Sequence, residues 1–185
     1  MLRALKSALS RLWAKDNGSA TAPVLFAHPQ VFALSRRAFE STCRTRLECG
    51  LFWYGPLTGG RSTVAAIVVP DQLNRPGNYR VSGAAMDRVS AHTLQYGWLN
   101  LAQVHTHPGK YVNHSPYDDD ETVSSHILSL VFPDYGGPFS DWRDCVGVHE
   151  CVNGQWRRLG RRNVVKRLVL SAKAPVPELI DLRGR

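Results

Sequence analysis

Gln103-Val104-His105-Thr106-His107-Pro108, followed six residues on by Ser115-Pro116-Tyr117-Asp118, is the stretch around which the rest of the chain falls into place. Trp98 to His107 has the periodicity of a strand. Alternation across a pleat puts Leu99, Leu101, Gln103, His105 and His107 on one face, so the two imidazoles point the same way. Pro108 ends the strand directly after His107. Ser115 then reads as an N-cap, with Pro116 at the first helical position and Asp118 to Glu121 at the positive end of the helix dipole. A turn between strand and helix can swing Asp118 beside the histidines. Two imidazoles and one carboxylate, with a fourth position for water, make a catalytic rather than a structural zinc site, although other divalent metals accept the same set. The metal would lower the pKa of that water and make it a nucleophile. Each half has a plainer explanation on its own, packing for the H-x-H strand and capping for the helix start. Together, at this spacing, they point to a site at His105, His107 and Asp118.

Working outward, Gln30 to about Arg46 carries Val31, Leu34, Ala38, Phe39 and Cys43 on a helical stripe and predicts a core-packing helix. Cys49 to Leu57 reads as a buried strand, turned by Gly55-Pro56 and Thr58-Gly59-Gly60-Arg61 into a second strand over Ser62 to Val69. Asp71 to Asn78, polar and proline-flanked, reads as a loop, and Tyr79 to Ser82 as a short edge strand. Ala84 to Tyr96 predicts a second helix closed by Gly97. Beyond the motif, His126 to Phe132 reads as a buried strand and Pro133 to Pro138 as a turn flanking the site. Cys145 to Glu150 and Gln155 to Leu159 form a hairpin, Val164 to Leu170 fits strand or helix, and Ala174-Pro175-Val176-Pro177 opens a loose tail. The organisation expected is an amphipathic helix and linker over 1–22, one domain over 23–170 and a tail over 171–185.

The amino-terminal segment places Leu2, Leu5, Leu9, Leu12 and Trp13 at helical spacing, with Arg3, Lys6, Arg11 and Lys15 around them. Docking on the protein body or a second copy explains it, as does a partner or a membrane surface. The net charge of +8 draws acidic partners without choosing among nucleic acid, membrane and protein. Its one cluster, Arg157, Arg158, Arg161, Arg162, Lys166 and Arg167, reads as a solvated surface, and a nucleic-acid partner is not expected. No apolar run approaches the roughly 20 residues of a bilayer span, so a cytoplasmic protein is expected. Cys43, Cys49, Cys145 and Cys151 contain no C-x-x-C pair and read as buried free thiols. His114 reads as a flexible loop residue, with a fourth ligand or a substrate contact as the alternative, and His149 and Glu150 as structural.

The run H-T-H-P, six residues, then S-P-Y-D resembles the H-x-H-P…S-x-x-D motif of the JAMM, or MPN, metalloproteases of the JAB-domain family. That family also carries a glutamate leading its first core strand, and Glu48-Cys49-Gly50-Leu51-Phe52-Trp53-Tyr54-Gly55 is similar. The order of helix, glutamate-led hairpin, helix, H-x-H strand and S-x-x-D helix matches too, over about Pro23 to Leu170. The resemblance implies an α/β fold: a mixed, mainly antiparallel sheet flanked by helices, cytidine-deaminase-like. It implies one zinc per chain on His105, His107 and Asp118. Glu48 would take a proton from the attacking water and return it to the leaving amine, with the Ser115 hydroxyl at the oxyanion. The activity implied is zinc-dependent isopeptidase or peptidase cleavage at the carboxyl terminus of a ubiquitin-like protein, in a bacterial, antiviral conjugation system. Its partners would be that protein and its conjugates, and the activating and conjugating enzymes. Within the same family stands a hydrolase of sulfur carriers or small peptides, and outside catalysis a scaffold or nucleic-acid-binding module on the same fold.

Overall fold

The computed structural model describes residues 24–121, 127–152 and 155–184, and the expected amphipathic helix lies outside them. In chain order come β1 (Val24–Ala27), α1 (Gln30–Thr45), β2 (Gly50–Gly55), β3 (Leu57–Thr58), β4 (Arg61–Thr63) and β5 (Ala66–Val69). Next are β6 (Gln72–Arg75), β7 (Asn78–Val81), α2 (Gly83–Leu94), β8 (Leu99–Thr106), α3 (Pro116–Glu121) and β9 (Leu128–Phe132). The last are α4 (Trp142–Cys145), β10 (Gly147–Val152), β11 (Gln155–Arg158), α5 (Arg161–Arg167), β12 (Leu168–Leu170) and β13 (Glu178–Asp181).

β2 is buried at every position of its Gly-Leu-Phe-Trp-Tyr-Gly run. Alternation sends Leu51 and Trp53 into one apolar cluster and Phe52 and Tyr54 into another, so both faces of the strand need cover. Two helices supply it. α1 turns Val31, Phe32, Ala38 and Phe39 inward, with Phe32 edge-on to Trp53 at 5.7 Å and stacked on Trp142 at 4.5 Å. The buried Trp53 indole N–H donates to Ser35 Oγ at 3.0 Å, which leaves no unpaired donor there. α2, capped by Ser82 accepting from the Ala85 N–H at 3.2 Å, packs Val89 with Phe52, Tyr54 and Val68 on the other face.

β2 occupies an inner position of a seven-stranded sheet ordered β11-β10-β9-β8-β2-β5-β13. Its own pairings with β8 and β5 are antiparallel, as are β9 with β10 and β10 with β11. β8 with β9 and β5 with β13 are parallel. A second sheet, β12-β1-β4-β3, and the separate β6-β7 hairpin complete the strands. The mixed α/β architecture with helix-flanked sheets is therefore as expected.

Two segments depart from expectation. Asp71 to Asn78 is not a loop: β6 and β7 pair antiparallel, Leu73 opposite Arg80, about the Pro76-Gly77 turn. No position of either strand is buried, so the segment lacks the apolar alternation that marks most strands. The expected loose tail over 171–185 also needs correction, because β13 adds to the main sheet with Leu179 opposite Ile67, and Ile180 is buried. Four residues between prolines and charges are too few for a period to stand out. The Val164–Leu170 ambiguity resolves into both forms, α5 running directly into β12. All four cysteines are free, but only Cys49 is buried. No helix among the described residues is long and apolar enough to cross a membrane.

Candidate metal centre

β8 delivers both histidines. His105 is fully buried, and His107 lies one residue past the strand end, where its N–H donates to the Phe132 carbonyl at 2.9 Å. The chain then leaves the sheet and returns as α3. There the Ser115 hydroxyl donates to Asp118 Oδ2 at 2.7 Å and accepts from the Asp118 N–H at 3.3 Å, while the Ser115 N–H also donates to Oδ2 at 2.7 Å. This reciprocal cap turns the Asp118 carboxylate inward, leaving the residue 7% exposed. Asp119, the neighbouring register, pairs instead with His114 at 2.9 Å.

The three groups converge. His105 Nε2 and His107 Nε2 are 3.2 Å apart, His107 Nε2 is 3.2 Å from Asp118 Oδ2, and His105 Nε2 is 3.3 Å from Asp118 Oδ1. Among the described residues this is the group of three or more His, Cys, Asp or Glu side chains whose ligand atoms lie close enough to hold a metal ion. Four tetrahedral ligands about 2.0–2.1 Å from a common centre stand about 3.3 Å from one another, so the residues fit a small divalent cation without rearrangement. His107 Nδ1 faces the Tyr111 carbonyl at 3.2 Å, a contact that leaves Nε2 of the neutral ring with its lone pair. His105 Nδ1 is buried without a hydrogen-bond partner, and the Tyr79 ring stands 5.9 Å from the His105 ring.

Without a cation the electrostatics are contested. Burial pushes His105 towards its neutral form against the pull of Asp118. For His107 burial acts in the same sense, but the hydrogen bond and charge of Asp118, with Glu48, outweigh it and raise the pKa. Burial opposes charge on Asp118 as well, and hydrogen bonds from both imidazoles and from Ser115 overcome it, holding the carboxyl well below its usual range. Such a group gathers a carboxylate and two nitrogen ligands at one point, and a divalent cation answers all three.

Glu48 joins this group from the far side. β2 pairs with β8 with Gly50 opposite His105, and continuing that register by two residues sets Glu48 opposite His107. The residue is 5% exposed, and burial is the main cause that pushes its carboxyl up to about 7, His107 lowering it and Asp118 raising it further. A carboxyl poised there can take and give a proton near neutrality. Ser115 also reaches the centre, but its hydrogen goes to Asp118, so it orients a ligand.

His114 lies in the loop as expected, but its side chain is buried and held rather than free. Its side chain is 4% exposed, contacts Asp119 Oδ1 at 2.9 Å and Ser129 Oγ at 2.8 Å, and stacks on His149 at 4.2 Å. His149 is buried, as a structural role requires, and burial carries its pKa down to about 3. No spacing rule links these two histidines, which meet only because β10 and the metal loop pack together: a Cβ on Gly147 would overlap the Val112 carbonyl.

No protein-family model and no curated protein matches the chain. Among solved structures it is similar to the solution structure of protein DSY2949 from Desulfitobacterium hafniense, with a TM-score of 0.58 and 12% identity over 82% of this chain and 95% of that one. It is similar also to that of a protein from Salinibacter ruber, with a TM-score of 0.55 and 17% identity over 82% and 95%. Likeness at this identity shows a shared mixed α/β fold.

Proposed function

We propose that this chain is a zinc-dependent isopeptidase or peptidase of the JAMM type, with the cytidine-deaminase-like JAB/MPN arrangement, acting in the cytosol. Its substrate on this reading is a ubiquitin-like protein joined through its carboxyl terminus to a target or a precursor extension, in a bacterial antiviral conjugation system. The observation that carries the reading is one constellation: three buried ligand atoms 3.2–3.3 Å apart, with the neutral-range carboxyl of Glu48 set opposite His107.

A bound zinc supplies Lewis acidity, both to water and to a substrate carbonyl. His105, His107 and Asp118 hold it, one ion per chain. Ser115 fixes the Asp118 carboxylate through two hydrogen bonds to Oδ2, from its N–H and its hydroxyl, and its hydroxyl accepts a third from the Asp118 N–H. Glu48 takes the proton of the attacking water, keeps it at a carboxyl whose burial tolerates the neutral form, and delivers it to the departing amine nitrogen. Because the Ser115 hydrogen is already directed at Asp118, its part in this mechanism is to orient that ligand.

The test is incubation of the zinc-loaded protein with a ubiquitin-like protein extended at its carboxyl terminus, with and without a chelator. Cleavage that stops with chelator, alongside one zinc per chain, is expected. Uncut substrate in both arms would remove the substrate class, and a protein that takes up no zinc on reconstitution would remove the hydrolase altogether.

A further inference from the structure

The β6-β7 hairpin belongs to neither large sheet, yet it is fastened beside Glu48 by side chains. The reason begins at Pro70. Continuing the β2-β5 register from Phe52 opposite Val68 puts Pro70 opposite Gly50. Proline has no N–H, so the Gly50 carbonyl meets no backbone donor there. The Gln72 side chain supplies both missing halves. Its Nε2 donates to the Gly50 carbonyl at 2.7 Å and to the Pro70 carbonyl at 3.2 Å, and its Oε1 accepts from the Gly50 N–H at 2.8 Å. A primary amide has the same donor and acceptor as a peptide group, so Gln72 acts as one more residue of β5.

Asn74 continues the arrangement one alternation later. Its Nδ2 donates to the Glu48 carbonyl at 2.7 Å and to Gln72 Oε1 at 3.1 Å, and the Glu48 N–H donates to the Arg75 carbonyl at 2.8 Å. From the other side β8 holds Cys49, whose N–H donates to Thr106 Oγ1 at 3.0 Å while its carbonyl accepts from the Thr106 N–H at 3.1 Å. Glu48, Cys49 and Gly50 thus have every backbone N–H and carbonyl hydrogen-bonded. The hairpin also closes on this segment from above: a Cβ on Gly50 would overlap the Tyr79 ring, whose hydroxyl accepts from Gln103 Nε2 at 2.9 Å.

We infer that Gln72 and Asn74 are positioning residues for hydrolysis, their two side-chain amides fixing the backbone that carries Glu48 so that its carboxyl is already set opposite His107 when substrate arrives. Neither amide need touch substrate or metal. The inference rests on the proposed hydrolase reading, and it explains why β6 carries amide side chains at the two positions that face the backbone of Glu48 and Gly50. Leu73, between them and 56% exposed, faces away from the clamp and serves as the internal control.

The experiment compares Asn74→Asp, Gln72→Ala and Leu73→Ala with the unaltered full chain. Asn74→Asp keeps the shape but replaces the donor with a second acceptor against the Glu48 carbonyl. Amide hydrogen exchange of the metal-free protein is read first. Exchange at Glu48 and Gly50 should quicken at least about tenfold in Asn74→Asp and Gln72→Ala, with Val104 to Thr106 protected as before and Leu73→Ala unchanged. Zinc content should stay at one per chain. With a ubiquitin-like protein carrying a carboxyl-terminal extension as probe, kcat should fall about tenfold or more while KM holds. Unchanged exchange would overturn the clamp. Faster exchange with kcat intact would overturn its positioning role and leave it purely structural. If the unaltered protein cuts no probe, the proposed substrate class falls and the positioning role with it, while the exchange result still decides whether the clamp exists.

Discussion

Two pairs of buried histidines lie within one ring's reach of each other in this protein, and they do different work. His105 and His107 meet at an interplanar angle of 58° with their Nε2 atoms 3.2 Å apart, both beside the Asp118 carboxylate. His114 and His149 lie 28° from parallel with centroids 4.2 Å apart, and His114 spends its nitrogens on Asp119 and Ser129. Stacking aims the nitrogens of the second pair past each other. The centroids of His105 and His114 are only 5.8 Å apart, so burial and proximity do not separate the pairs. What separates them is convergence of lone pairs on a carboxylate held by a helix cap.

The sharpest way to break this contrast is to remove a ligand. His107→Ala or Asp118→Ala is expected to lower zinc affinity by more than about 100-fold, read as metal content after dialysis, and to abolish cleavage, whereas His149→Phe keeps one zinc per chain. Equal loss in both would erase the distinction. Next in size, Glu48→Gln should retain zinc and lose about 1000-fold in kcat, since it removes the proton carrier and leaves the ligands.

A third expectation concerns the metal-free protein. The Glu48 carboxyl is raised from 4.5 to about 7, so the folded state binds a proton there that the unfolded chain has released. The associated stability is full below about pH 4.5 and is lost as pH rises through 7. Glu48→Gln, always neutral, should therefore be more stable than the unaltered chain by on the order of 1–3 kcal/mol at pH 8, and by much less at pH 4.5, in urea unfolding with chelator present. His149 has the opposite sign. Its pKa falls from 6.5 to about 3, so it contributes stability above 6.5 that is lost as pH drops. The smallest effect is His149→Phe, expected within about 1 kcal/mol at pH 8 and gaining on the unaltered chain as pH falls towards 5.

The legible parts of this molecule were those with a period or a fixed spacing. The stripe of α1, the buried run of β2 and the H-x-H strand could be read from residue order, and the eleven-residue step from His107 to Asp118 with its Ser115 cap marked the metal centre. Glu48 could not be found that way. It lies 57 residues from His105 and becomes its neighbour only through strand pairing, so family resemblance alone pointed to it. Of the β6-β7 hairpin, β7 was legible as the short edge strand over Tyr79 to Ser82, while β6 escaped because Gln72, Asn74 and Arg75 leave Leu73 as its one apolar residue, though Pro76-Gly77 between two four-residue runs was a usable turn signal. The His114–His149 stack left no trace, since its partners come from a loop and a strand that no sequence rule joins.

Gly147 carries a consequence for anyone reading mutational tolerance. Any side chain there would strike the Val112 carbonyl, on the loop that spans His107 and Ser115, so a substitution on a remote strand would displace the metal loop. In a library scored by growth or cleavage, Gly147 would be as intolerant as His107 although it has no functional group to contribute. Intolerance at that position maps the footing of the loop, and only a metal assay can tell it from chemistry.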